Sequence, residues 1–142
     1  MSDTDLQRYA EFFERLSSGR LNQLASVMTE DIRFVDPFND VNGLKQVEKI
    51  FRNMFGSLNN PTFTVTHSAM AGNLEPRGLI RWELHSVVKG LPYIIVGMSE
   101  VCFADDGRVK SHVDHWDAAK QFYEHLPIVG WLLRMIRVRM MG

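Results

Sequence analysis

From Thr62 onward the chain consists of four runs rich in β-branched, aromatic and other apolar residues: Thr62 to Met70, Leu79 to Val88, Tyr93 to Phe103 and Arg108 to Trp116. Glycine parts each run from the next, at Gly72-Asn73, Gly90 and Gly107. Strands joined by short glycine turns pair with their sequence neighbours, so this half of the chain predicts an antiparallel meander. The first half has a different period. Leu6, Tyr9, Ala10, Phe13 and Leu16 recur at helical spacing behind Ser2 and Asp3, which can cap, and Ser17-Ser18-Gly19 ends the run. Leu21, Leu24, Ala25, Val27 and Met28 suggest a short second helix, and Ile32 to Asp36 a strand stopped by Pro37. After Asn42-Gly43 a third helix carries Leu44, Val47, Ile50, Phe51, Met54, Phe55 and Leu58 on one stripe and ends near Asn59-Asn60-Pro61. Helices followed by antiparallel strands make the class α+β, a curved sheet wrapped around the long helix. The 142 residues suit one domain spanning 1–142, with 118–142 as a C-terminal helical extension: Ala118 to His125, a break at Pro127, then Ile128 to Met141.

The last β-rich run departs from this pattern in its chemistry. In Gly107 to Asp117, GRVKSHVDHWD, charged and imidazole groups stand at strand spacing where hydrocarbon is expected. Alternation puts His112, Asp114 and Trp116 on one face and Val109, Ser111, Val113, His115 and Asp117 on the other. Asp105-Asp106-Gly107 reads as the hairpin turn feeding this strand. Two polar residues beside a tryptophan on an inner face suggest a lined cavity.

Composition narrows the function classes. With 16 basic against 17 acidic residues, nothing favours nucleic acid as a partner. Cys102, the one cysteine, cannot form an intramolecular disulfide or a multi-cysteine zinc site, and is expected to be an inert core thiol. The start MSDTDLQRYAEFF lacks a basic segment leading into an apolar core, and no apolar run is long enough to span a bilayer, so a cytoplasmic protein is expected.

Gln7-Arg8-Tyr9, Gly19-Arg20-Leu21, Thr29-Glu30-Asp31 leading to Phe34-Val35-Asp36-Pro37, Gly43 and Gly107-Arg108-Val109 together resemble the nuclear transport factor 2-like superfamily. This is a cone-shaped α+β fold that includes ketosteroid isomerase, SnoaL-like polyketide cyclases and limonene epoxide hydrolase, and the resemblance runs nearly to Asp117. It implies that Asp36 stands where ketosteroid isomerase keeps its general-base aspartate. The same comparison breaks the rest of that site. Counting back from Gly19 puts Phe12 at the isomerase's tyrosine position, with Tyr9 one turn earlier, and its second aspartate becomes Ser99. The epoxide hydrolase arrangement needs a mid-strand arginine that the inner face does not supply. The fold also hosts binding modules and adaptors, so it does not decide function.

The candidate catalytic residues are therefore Asp36, His112 and Asp114: two carboxylates and an imidazole around one cavity, enough for acid–base chemistry if apolar walls perturb them. The substrate-binding walls are expected to be Phe34, Phe51, Phe55, Trp82, Leu84, Val101 and Trp116, with Ile95 alongside, Gly97 leaving room opposite, and Tyr9, Phe12 and Ser99 within reach. Plainer readings stay open: Asp36 before Pro37 also fits a turn cap, and His112 with Asp114 a satisfied buried pair that fixes register. A metal site would need Asp36 as third ligand, and neither metal nor cofactor is expected. The reading is a pocket for a small hydrophobic, carbonyl-bearing or polycyclic molecule, acted on by an isomerase, cyclase or lyase. The alternatives are a non-catalytic ligand-binding module or a dimeric interaction module.

Val87, Ile94, Val96, Met98, Val109 and Val113 are expected on the outer sheet face, where a homodimer would cover them. The extension LPIVGWLLRMIRVRMMG carries Arg134, Arg137 and Arg139 and no acidic residue. Its stripe of Ile128, Trp131, Leu132, Met135 and Ile136 is expected to dock on the domain or its dimer partner first, to act as a cavity lid second, and to touch a membrane surface third.

Overall fold

Ser2 starts helix α1 (Asp3–Glu14): its hydroxyl accepts the Asp5 N–H at 3.2 Å, and Asp3 and Asp5 set negative charge against the helix's positive end. In this computed structural model, which describes residues 2–141, α1 buries Leu6, Tyr9, Ala10 and Phe13. The second expected helix is a 3₁₀ segment, Ser18–Ser26, burying Leu21 and Leu24 only. Its serines, glycine and asparagine are poor α-helix formers, and Met28 is taken by strand β1 (Met28–Val35) instead. Strand β2 (Asp40–Asn42) is too short to leave a periodic signal. Helix α2 (Leu44–Ser57) follows, tied to β1 by the Gly43 N–H to the Ile32 carbonyl at 2.8 Å.

Strands β3 (Asn59–Ala71), β4 (Arg77–Val88), β5 (Leu91–Phe103) and β6 (Val109–His115) form the expected antiparallel meander. Lys89 and Gly90, both at positive φ, make the two-residue turn between β4 and β5. The sheet is curved, unclosed and six-stranded, in the order β2-β1-β6-β5-β4-β3. One pairing corrects the all-antiparallel expectation: β1 runs parallel to β6. A parallel neighbour needs a long crossover, and here that crossover is α2 with the whole meander. The helices α1 and α2 pack on the inner face, where Phe34, Val47, Phe51 and Val101 belong to the buried core.

Alternation on β6 holds for His112 and His115, inward and outward respectively, but not for Val109. Cys102 pairs with Ser111 and Phe103 with Val109, so Lys110 is an extra residue in a bulge. The bulge brings Val109 onto the same inner face as His112, and Val109 is fully buried rather than part of the outer patch. Cys102, beside it, is half-buried and not a core thiol.

Beyond β6, Asp117 caps α3 (Ala118–Gln121) by accepting the Lys120 N–H at 3.0 Å. Because β6 ends at His115, opposite Met98, the backbone of Val96 on β5 has β4 on one side and no strand on the other. The Gln121 side chain takes that place: its Oε1 accepts the Val96 N–H at 2.7 Å and its Nε2 donates to the Val96 carbonyl at 3.0 Å. The Tyr93 hydroxyl donates to the Gln121 carbonyl. After a 3₁₀ turn, Tyr123–His125, helix α4 (Pro127–Met140) packs on that turn and on α3. Its stripe does not dock on the sheet: Ile128, Trp131, Leu132 and Ile136 are all exposed. Among the described residues no helix is long and apolar enough to cross a membrane.

Candidate functional site

His112 lies under an aromatic shell. Its ring stacks on Phe34, centroids 4.8 Å apart and planes 22° from parallel, with Tyr9 and Phe13 tilted against it at 5.8 and 5.7 Å. Only 4% of it is exposed, so both ring nitrogens need partners from within the protein. They have them. The Tyr9 hydroxyl lies 2.7 Å from Nδ1, and Asp114 Oδ1 lies 2.6 Å from Nε2. Asp114 in turn faces Ser99 across the β5–β6 ladder, whose hydroxyl donates to Oδ1 at 2.5 Å. The Trp82 indole N–H donates to that same serine oxygen at 2.8 Å. Trp82 reaches it because its ring lies over Gly97: a Cβ there would stand 2.4 Å from Trp82 Cζ2. The space expected opposite the pocket walls at Gly97 is filled by this ring.

Proton directions follow from the donor inventory. The Tyr9 phenol is held well above its ordinary pKa, first by burial and then by the negative charge of Asp114, so its oxygen keeps the proton. With a neutral imidazole it donates to Nδ1, and the ring proton then sits on Nε2, pointing at Asp114. Trp82 can only donate, so Ser99 accepts from it and gives its own proton to Asp114. Asp114 Oδ1 thus collects two donors. Its Oδ2 accepts no hydrogen bond from the described residues and is not sealed off from the cavity space.

That space has two parts. A deep chamber of about 30 Å³, too small for an organic ligand, is lined by Tyr9, Phe13, Trp82, Ser99, His112 and Asp114 among others. A larger one of about 340 Å³ opens beyond it, at the lower end of the roughly 300–1,000 Å³ of small-molecule sites. Asp114, Phe51, Phe63 and Trp82 line both. The larger chamber is mostly apolar, with Phe34, Leu84, Ile95 and Trp116 on its walls as expected, and Asp36, Asn39, Asn53 and Ser57 adding polar groups.

Asp36 caps its turn and also stands on the chamber wall. Its Oδ1 accepts the N–H groups of Phe38 and Asn39 at 2.8 and 2.7 Å and the Asn39 amide at 3.0 Å, which makes it the cap of the turn. Its carboxylate also lines the large chamber, where Oδ2 keeps a single 3.2 Å contact to Asn39. Among the described residues no group of three or more His, Cys, Asp or Glu converges as metal ligands would.

Three expected wall residues lie elsewhere, and line neither chamber. Phe12 packs edge-on to Phe13, at 5.9 Å, one position from the residue that does enter. Phe55 borders a separate surface hollow with Leu16 and Pro61. Val101, opposite His112, is buried in the core. Tyr9 and Ser99 reach the site through His112 and Asp114 rather than through the main chamber. Lining residues that the sequence did not single out include Phe38 and Phe122, whose rings meet at 5.3 Å, with Phe38 also 5.6 Å from Trp116, forming an aromatic rim. Nothing periodic marks them, since one sits in the Asp36 turn and the other just after α3.

The SnoaL-like domain family matches residues 9–112. Solved structures of the same fold include a nuclear transport factor 2-like protein of unknown function from Exiguobacterium, 17% identical, covering 80% of this chain and 98% of that one at a TM-score of 0.67. A proposed SnoaL-like polyketide cyclase from Jannaschia is 15% identical over 84% and 92% of the two chains, with a TM-score of 0.70. A proposed isomerase of the SnoaL-like family from Agrobacterium tumefaciens is 17% identical over 80% and 95%, with a TM-score of 0.63. At such identities the likeness is one of fold. No curated protein matches the sequence.

Proposed function

The chain belongs to the SnoaL-like domain family, and on that premise we propose that it binds a small hydrophobic carbonyl compound in the large chamber and moves a proton on it, with Asp114 as the base. The observation that carries this reading is the asymmetry of one carboxylate. Oδ1 is fixed by Ser99 and His112, while Oδ2 accepts no hydrogen bond from the described residues and the side chain lines a mostly apolar cavity of about 340 Å³. Oδ2 takes a proton from the carbon beside the carbonyl, and the enolate so formed is resolved in one of two ways. Return of the proton at another carbon isomerises the substrate. Attack of the enolate on a second carbonyl closes a ring, and the resulting alkoxide recovers the proton from Asp114. Neither route needs an outside oxidant or reductant. His112 and Tyr9 position Asp114, and Asp36 receives a polar group of the ligand at the rim. This shifts the base from Asp36, the sequence-level candidate, to Asp114. The descriptions of the Jannaschia and Agrobacterium proteins as a proposed cyclase and a proposed isomerase support the reaction class.

A thermal-shift screen across steroids, polyketide fragments and terpenoids identifies ketones that bind, and their deuterium uptake in heavy water then reads proton abstraction directly. Asp114→Asn should keep binding and slow the exchange by about 10²–10⁴-fold. Exchange that survives Asp114→Asn but is lost in Asp36→Asn would return the base to Asp36. Ketones that bind with no exchange in the wild type would favour the second reading, a binding module. That reading has its own support: both nitrogens of His112 and Oδ1 of Asp36 are already engaged, leaving one open carboxylate oxygen and no evident second acid.

A further inference from the structure

Helix α4 is turned outward along nearly its whole length. Gly130 is buried and Leu133 half-buried, on the side that meets α3 and the Tyr123–His125 turn. On the opposite side Ile128, Trp131, Leu132, Met135 and Ile136 share a face at helical spacing, between 37% and 80% exposed. Such a stripe in water costs free energy unless something covers it. The charge of the segment says what that something is. Arg134, Arg137 and Arg139 are the only ionisable side chains between Leu126 and Met141, and all three are positive. Arg134 borders the stripe, and Arg139 lies within it near the C-terminal end.

We propose that α4 lies in the plane of an anionic lipid surface, with its apolar face in the outer hydrocarbon and the Arg134 and Arg139 guanidinium groups on the headgroup phosphates. The combination of a tryptophan-bearing apolar face with arginines and no acid is that of an interfacial helix, and the helix is too short to cross instead. A second copy of α4 is the poorer occupant. Packing the stripe on itself sets Arg139, which lies within it, against its counterpart with no acidic residue in either segment. The arginine stems are long enough to lie along apolar surface while their heads stay with phosphate.

Co-sedimentation of the full chain with vesicles tests this, using pure phosphatidylcholine and equimolar phosphatidylcholine and phosphatidylglycerol. The chain should pellet with the phosphatidylglycerol vesicles, release as salt rises, and stay in solution with phosphatidylcholine alone. Arg134→Gln and Arg139→Gln together should weaken partitioning by about thirtyfold. Trp131→Ser with Leu132→Ser should abolish it, and circular dichroism of both variants should match the wild type, since the replaced side chains are exposed. No pelleting with either vesicle, or equal pelleting with both, overturns the proposal. So does a wild type that ignores vesicles but loses oligomeric mass on Trp131→Ser, which would make a second copy the occupant.

Discussion

At the scale of single residues, the centre of this protein is a polar chain threaded through an apolar core: Tyr9 to His112 to Asp114, with Ser99 and Trp82 feeding in from the other side. Each link satisfies a group whose burial would otherwise be costly, so the end of the chain can be tested without touching the carboxylate. Tyr9→Phe leaves His112 Nδ1 without its donor and should destabilise the fold by about 1–3 kcal/mol at neutral pH. The variant should also change the alkaline limb of stability. Tyr9 has its pKa raised by burial above the value of 10.0 it takes when unfolded. Its contribution is therefore complete below pH 10 and falls, by about 1.4 kcal/mol per pH unit, as the unfolded phenol ionises while the folded one does not. Tyr93, also raised by burial, adds a smaller effect of the same sign. Urea unfolding at pH 7 and at pH 11 should show a smaller alkaline loss in Tyr9→Phe than in the wild type. An equal loss would mean that Tyr9 is not the buried phenol. Tyr9 and Phe12 could not be told apart in advance, because they lie nearly one turn apart on α1 and only the angle at which that helix crosses the sheet decides which one meets His112.

At the scale of elements, the legible parts were those with a period or a turn. The meander, α1, α2 and the inward pairing of His112 with Asp114 follow from spacing alone. What escaped lacked either signal. Strand β2 is three residues long, the parallel β1–β6 contact joins segments far apart in the chain, and the Lys110 bulge inverts Val109 without a glycine to announce it. The docking of α3 escaped for a related reason, since a glutamine side chain standing in for a strand has no pattern. Gln121→Ala tests it. The two bonds to Val96 should be lost, costing about 1–2 kcal/mol, and the rim should loosen because Phe122 follows directly in the chain. Hydrogen exchange at the Val96 amide should accelerate in the variant, while Ile95 and Gly97 on the same strand stay comparatively protected. An unchanged Val96 amide would mean that α3 is held by its aromatic contacts alone.

At the scale of the whole molecule, the outer face of the sheet is still to be accounted for. Ile94 and Met98 on β5 and Val87 on β4 are 47%, 46% and 43% exposed, with Val96 and Val113 half-buried among them. Around this patch run polar contacts on the same strands, with Glu83 between Arg81 and His85 and Glu100 between Arg77 and His115. An apolar centre inside a polar rim has the anatomy of a protein interface, and we propose that it closes a two-fold homodimer. This surface is distinct from α4, so dimerisation and vesicle binding should separate on mutation. Ile94→Glu with Met98→Glu sets carboxylates on each copy against those of its partner, and light scattering at micromolar concentration should then report one chain where the wild type reports two. Unfolding by urea should change little, because both side chains are already half in water. A wild type that scatters as a single chain would remove the dimer altogether. The tested pair was chosen to exclude Val109: by spacing it belongs to the same face, but the bulge has turned it into the core, where a glutamate would unfold the chain and mimic the loss of a dimer.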